Sequence, residues 1–112
     1  MTRGEIWIVN LDPTVGPEIR KTRPVVIVND DCIGILPLKV IVPITEWKEN
    51  YSISPWMIRI DPDETNGLEK LSAADAFQLR SIAQSRFVRS LGNLSDETMK
   101  KISKALALVL GL

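Results

Sequence analysis

The chain has 112 residues, close to the modal size of one domain, so a single unit spanning residues 1–112 is expected, with no separate regulatory module. Apolar residues make up 45% and charged residues 25%, the balance of an ordinary soluble globular protein, which excludes a disordered chain and a fibrous repeat. Fourteen Lys and Arg offset fourteen Asp and Glu, so net charge does not announce a nucleic-acid binder.

Glu5 to Leu11 alternates Trp7, Val9 and Leu11 with Ile6 and Ile8, the period of two of a strand buried on much of both faces. Asp12-Pro13-Thr14-Val15-Gly16-Pro17 breaks it. The segment from Gly16 to Val28 then delivers one carboxylate, Glu18, and three cations, Arg20, Lys21 and Arg23, onto the start of an apolar strand. Pro24 fixes its own φ and biases Arg23 towards extended backbone, so the guanidinium is presented from a defined main chain. Pro24 to Asn29 and Lys39 to Thr45 read as strands, separated by a loop over Asp30 to Pro37 that is rich in Gly, Pro and Asp. A fourth strand, Trp56 to Asp61, runs into Asp61-Pro62-Asp63. Short strands with dense turn signals predict a compact antiparallel sheet or small barrel rather than alternating βα units.

Leu68 to Ala83 is ambiguous, because Leu68 to Phe77 has a helix-forming composition. Phe87 to Leu91 is a further strand, ended by Gly92-Asn93. The C-terminal segment is a helix: Ser95 is a good N-cap, Asp96 and Glu97 occupy the first turn where the dipole favours anions, and Gly111 follows the last apolar residues. Met99, Ile102, Leu106 and Val109 form its apolar stripe. Ala105, Leu108 and Leu110 widen that stripe beyond the need of one sheet face and hint at a dimer seam.

Charge is segregated along this chain. Asp61 to Asp75 carries five acids and one base, whereas Gln78 to Lys104 carries Arg80, Arg86, Arg89, Lys100, Lys101 and Lys104 against Asp96 and Glu97. A basic surface on a neutral protein, or simply solvated faces, would give this pattern. The one cysteine, Cys32, has no histidine anywhere in the chain to activate it and reads as a small apolar loop residue. It leaves no intrachain disulfide, no apolar signal region follows a charged start, and Ala105 to Leu112 is too short to span a bilayer; a cytoplasmic protein is the expectation.

In order and at comparable spacings, Arg3-Gly4-Glu5-Ile6-Trp7-Ile8-Val9-Asn10-Leu11-Asp12-Pro13, the Gly16 to Val28 segment, Val42-Pro43-Ile44-Thr45 and Gln78-Leu79-Arg80-Ser81-Ile82 are similar to segments of the MazF/PemK family of toxin ribonucleases. The resemblance covers most of the chain. It implies an α+β, mainly β fold: a small SH3-like antiparallel β-barrel of the CcdB/Kid/MazF kind with a C-terminal helix, in which Ala74 to Ser81 is a strand with Gln78 and Arg80 on one face and Phe77 and Leu79 on the other. It also implies a homodimer that cuts single-stranded RNA without a metal or other cofactor, leaving 2′,3′-cyclic phosphate and 5′-hydroxyl ends. A cognate MazE/PemI-like antitoxin with a flexible acidic tail would occupy the RNA groove.

Attack of a 2′-hydroxyl on the adjacent phosphate needs a proton acceptor, stabilisation of charge on phosphorus and protonation of the leaving 5′-oxygen. With no histidine, and no acids and histidines at metal-ligand spacing, carboxylate, hydroxyl and guanidinium groups must supply these. The resemblance assigns Arg23 and Thr45 to cleavage: a planar fork of donors can hold two non-bridging oxygens, and a hydroxyl can add a further bond. Without the resemblance Arg23 reads first as a surface arginine before a proline, and Thr45 as a threonine common in strands for packing reasons alone. Glu18 corresponds to the family's acidic loop residue and would orient or deprotonate the 2′-hydroxyl, or merely balance Arg20 and Lys21. Ile19 departs from the glutamine many relatives carry there. Arg20 and Lys21 would hold flanking phosphates. Gln78 would read a base edge, Arg80 would contact phosphate or stack, and Trp47, with Trp56, is a candidate stacking platform or a core residue. Two other readings remain from different classes: a non-enzymatic gyrase-binding toxin on the same fold, and an SH3-like interaction module.

Overall fold

The computed structural model describes residues 1–33 and 35–112. Alternating apolar residues build β1 (Glu5–Asn10), which pairs antiparallel with β2 (Thr22–Ile27) on one side and with β7 (Phe87–Asn93) on the other. β2 pairs in turn with β3 (Leu38–Glu46). The free edge of β3 is shared by two short strands: its first half pairs with β6 (Arg80–Ala83) and its end with β5 (Ser72–Asp75), which also pairs with β4 (Met57–Ile60). Of the predicted loop from Asp30 to Pro37, Gly34 lies outside the described residues; Asp31–Ile33 form a short 3-10 turn.

Burial on both faces of β1 divides the core. Ile6, Val26, Val42, Ile44, Ala74, Met99 and Ile102 pack on one side, and Val9, Leu11, Val25, Ile27, Ile41 and Ile82 on the other, with Trp7, Ile19 and Phe87 against them. The first face is covered by α1 (Asp96–Leu110). Its ends are those expected: Ser95 accepts a bond from Thr98 N, and Gly111 closes the helix with φ +73° and an N–H bonded to the Ala107 and Leu108 carbonyls. Of the residues that widen the apolar stripe, Ala105 is buried, whereas Leu108 and Leu110 stay exposed at 58% and 55% in the single chain.

Two details depart from the sequence expectation. Ala74 to Ser81 is not one strand: β5 stops at Asp75, and Ala76–Gln78 turn as a 3-10 corner before β6. The Asp75 carboxylate accepts a bond from Phe77 N at 3.1 Å, the local side-chain cap that ends a strand, and it turns the chain within reach of β3 twice. Secondly, the barrel is not closed by a ladder. β4 and β7 are the ends of the main strand path, and the loop from Asp61 to Leu68 bridges them, with Asn93 N bonded to Thr65 O at 2.8 Å. That approach needs glycine on both sides. A Cβ on Gly92 would sit 2.1 Å from the Thr65 carbonyl oxygen, and one on Gly67, whose φ is +68°, 2.3 Å from that of Leu91. The fold class remains α+β, mainly antiparallel β.

Candidate active site

The loop between β1 and β2 carries most of the polar residues singled out above, and its base is held by side chains of the second half of the chain. Leu11 N bonds Lys21 O at 2.9 Å and Lys21 N bonds Asp12 Oδ1 at 3.1 Å. Arg86 donates to the carbonyls of Asn10 and Asp12, and Arg80 to that of Leu11 at 3.3 Å. Lys21 takes φ +70°, a left-handed conformation that costs a lysine on the order of 1 kcal/mol and that the surrounding bonds must enforce.

The tip of the loop is tied to the 3-10 corner. Ile19 N donates to Gln78 Oε1 at 2.6 Å, and Gln78 Nε2 donates to Pro17 O at 3.4 Å. Gln78 therefore grips the main chain on both sides of Glu18. One Glu18 oxygen accepts from Val15 N, which folds the carboxylate back onto its own loop and leaves the other oxygen free. Pro17, Glu18, Ile19, Pro43, Gln78 and Arg80 line a hollow of about 320 Å³.

A groove of about 280 Å³ lies at the end of β3. Ile8, Pro24, Ile44, Leu68 and Leu91 give it an apolar lining, Arg23 and Thr45 border it, and Glu46, Glu69, Lys70, Ser72 and Arg89 complete it; by register Arg23 and Thr45 share the other sheet face, that of Val9 and Val25. Arg23 is half-buried and its Nε donates to Arg20 O at 3.2 Å, which fixes the plane of the guanidinium, while among the described residues neither Nη group has a partner. Among the described residues none of Arg23, Lys70, Arg89, Glu46 or Glu69 enters an ion pair. The groove's wall is stiff: buried Asn66 bonds Asp63 N, Leu68 N and Asp61 O, and the Asp63 carboxyl is held below its ordinary range by the amide of Asn66 and the hydroxyl and amide of Thr65.

The structure thus brings Arg23 and Thr45 together and sets Glu18, Gln78 and Arg80 in the adjoining hollow. Arg20 and Lys21 are exposed on the loop and line neither. Trp47 lies apart, half-buried, edge-on to Tyr51 at 5.9 Å and under the Arg59 guanidinium at 5.8 Å, with its indole N–H buried and without a partner among the described residues. Trp56 packs edge-on to Phe77. Ser72, Lys70 and Arg89 were not singled out from sequence as site residues. Arg89 gave no usable signal, because the register of β7 shifts against β1 and strand parity along it is not kept: Phe87 and Leu91 pack into opposite halves of the core.

Among the described residues no three His, Cys, Asp or Glu side chains gather into a set able to hold a metal ion. No helix is long and apolar enough to cross a membrane. Burial pushes the Asp75 carboxyl above its ordinary range, against the pull of bonds from Phe77 and Gln78.

Residues 2–110 match the family model described as PemK-like, MazF-like toxin of type II toxin-antitoxin system. The chain is 34% identical over 118 residues to endoribonuclease MazF9 of Mycobacterium tuberculosis, covering 100% of this chain and 98% of that protein. It is 31% identical over 112 residues to endoribonuclease MazF of Staphylococcus saprophyticus, covering 100% of this chain and 92% of the relative. In fold it is similar to MazF of Deinococcus radiodurans, with a TM-score of 0.82 at 21% identity over 100% of this chain and 97% of that one. A mycobacterial endoribonuclease solved in complex with its cognate antitoxin superposes with a TM-score of 0.79 at 22% identity, over 100% of this chain and 96% of that one. A family match across nearly the whole chain and two full-length relatives above 30% identity agree, and the protein belongs to the PemK-like, MazF-like toxins of type II toxin-antitoxin systems.

Proposed function

We propose that this protein is a sequence-specific endoribonuclease toxin that cleaves single-stranded RNA in the cytoplasm without a metal, acts as a homodimer and is neutralised by a cognate antitoxin of the MazE/PemI kind. The observation that carries the reading is the placing of Arg23 and Thr45 opposite one another on one sheet face, with the Arg23 Nη groups unengaged among the described residues. In this reading the 2′-hydroxyl attacks the adjacent phosphorus. Arg23 holds the two non-bridging oxygens bidentately as charge builds on them, and the Thr45 hydroxyl donates a further bond. Glu18, held at the mouth of the neighbouring hollow by Gln78 and Val15, assists proton transfer from the 2′-hydroxyl. Arg20 and Lys21 meet flanking phosphates from the exposed loop, and Arg80 meets the strand in the adjoining hollow. The products are a 2′,3′-cyclic phosphate and a 5′-hydroxyl.

Gln78 has a positioning role in this scheme, since its amide is engaged with the loop main chain on both sides. Two relatives above 30% identity are named endoribonucleases, which supports the activity; a structural neighbour bound to its antitoxin supports the regulation. Incubation of purified protein with long single-stranded RNA in EDTA, with mapping of both fragment ends, tests the reading. Discrete cuts bearing 5′-hydroxyl ends are expected. Intact RNA, or cleavage that appears only with added divalent cation, would overturn it.

A further inference from the structure

We propose that Asp12 is a positioning residue for Arg23, orienting its guanidinium through the one peptide group that joins Arg20 to Lys21. The assignment rests on the endoribonuclease reading above, in which Arg23 holds the scissile phosphate, and adds to it the residue that sets where that fork points.

The peptide between Arg20 and Lys21 is bonded on both sides. Its N–H, on Lys21, donates to Asp12 Oδ1 at 3.1 Å, and its carbonyl, on Arg20, accepts from Arg23 Nε at 3.2 Å. A peptide group is planar, so a bond that fixes the N–H also fixes the direction of the carbonyl oxygen. That oxygen is the one hydrogen-bond partner of the Arg23 guanidinium among the described residues. Asp12 thereby orients a cation with which it forms no ion pair.

The carboxylate can do this because its own place is fixed. The ladder of β1 and β2 ends at Asn10 and Thr22. Just beyond it, fully buried Leu11 donates its N–H to Lys21 O at 2.9 Å, and Asn10 Oδ1 accepts from Asp12 N at 3.0 Å. From the second half of the chain Arg86 donates to the carbonyls of Asn10 and Asp12. Lys21 is thus held by its carbonyl and its N–H at the φ of +70° that sets how the peptide is turned. A side-chain-bearing residue strongly prefers negative φ. Loss of the Asp12 bond lets Lys21 relax that way, and the Arg20 carbonyl turns with it.

The test compares wild type, Asp12→Ala and Asp12→Asn, with thermal unfolding as the control for folding; Asp12 is exposed, so its truncation removes no core packing. Without RNA, the Nε–H proton of Arg23 is followed by NMR, assigned with Arg23→Lys. Its protection from exchange with water should be lost in Asp12→Ala and kept in Asp12→Asn, whose amide oxygen can still accept from Lys21 N. With long single-stranded RNA, Asp12→Ala is expected to lower kcat roughly tenfold at constant KM, within the ~10² that an ångström of misplacement costs. Asp12→Asn should recover most of that loss. Added to Arg23→Ala, Asp12→Ala should lower the rate no further, because the group it orients is gone. An unchanged Arg23 proton in Asp12→Ala would overturn the assignment, as would a full further loss on the Arg23→Ala background or an Asp12→Asn protein as impaired as Asp12→Ala. An Asp12→Ala protein that does not fold would overturn it too, by making Asp12 a residue of the fold. If wild type cuts no RNA, the endoribonuclease reading fails while proton exchange still decides whether Asp12 orients Arg23; if wild type cuts and Asp12→Ala matches it throughout, only the assignment fails.

Discussion

Arg23 on β2 and Thr45 on β3 stand opposite one another. The antiparallel register runs Ile27 to Ile41, Val26 to Val42 and Val25 to Pro43, and two further steps bring Arg23 level with Thr45 just beyond the last hydrogen-bonded pair. Their side chains share a face of the sheet, and both residues border one groove. A guanidinium and a hydroxyl presented from adjacent strands are held by sheet geometry rather than by a loop, which is what electrostatic stabilisation of a transition state requires.

Gln78 grips the loop at Pro17 and Ile19, and its loss should loosen Glu18 without altering which bases are read. Gln78→Leu is expected to lower kcat roughly tenfold, less than the ~10² to 10⁴ of losing a proton-transfer group outright because Glu18 itself remains, while fragment mapping returns the wild-type sites. A changed set of cut sites would make Gln78 a base-reading residue instead.

Gly67 and Gly92 let the loop from Asp61 to Leu68 lie against β7. A methyl group at Gly92 meets the Thr65 carbonyl at 2.1 Å, so Gly92→Ala should destabilise the fold by roughly 2 kcal/mol or more in urea titration. Gly16→Ala, where a Cβ meets nothing within 4 Å, should cost less, its penalty confined to the positive φ of +57°.

Asp75 is buried and its carboxyl titrates above its ordinary value because burial disfavours the charge. The native state then binds more protons than the unfolded chain between the ordinary carboxylate pKa and the raised native one. Stability should fall as pH rises through that window and stay lower above it. Asp75→Asn keeps an acceptor for Phe77 N and removes the charge, so thermal unfolding at neutral pH should move upward and this part of the pH dependence should flatten. An unfolding temperature that drops at neutral pH would show that the charge itself is needed.

Cys32 is exposed, and the adjacent Asp30 carboxylate pushes its thiol above the usual range. Iodoacetamide should alkylate it slowly at neutral pH, and Asp30→Asn should move the pH profile of alkylation to lower pH. Equal profiles for the two proteins would remove Asp30 as the cause.

Much of this architecture was legible in the sequence, for identifiable reasons. Period-two alternation in Glu5 to Leu11 reported a strand buried on both faces, and Trp7, Val9 and Leu11 do pack on one side of it and Ile6 on the other. Ser95 and Gly111 marked the helix ends because capping is a local property. Arg23 and Thr45 could be named as a pair through the family resemblance, yet their opposition depends on a register between segments far apart in the chain. The corner at Ala76–Gln78 was hidden because Ala-rich composition fits helix, strand or turn, and only the Asp75 cap decided among them. Arg89 could not be placed from the sequence because the irregular register of β7 against β1 sets its face.

The most direct measurement of the central claim is single-turnover cleavage of one mapped RNA by wild type, Arg23→Ala, Thr45→Val and the double variant, with thermal unfolding as the control for folding. Each single change is predicted to lower the cleavage rate on the order of 10² to 10³, with unfolding unchanged. The double variant should lose less than the product of the two, because both donors serve one phosphate. Cleavage at the wild-type rate by a folded Arg23→Ala protein would contradict the account.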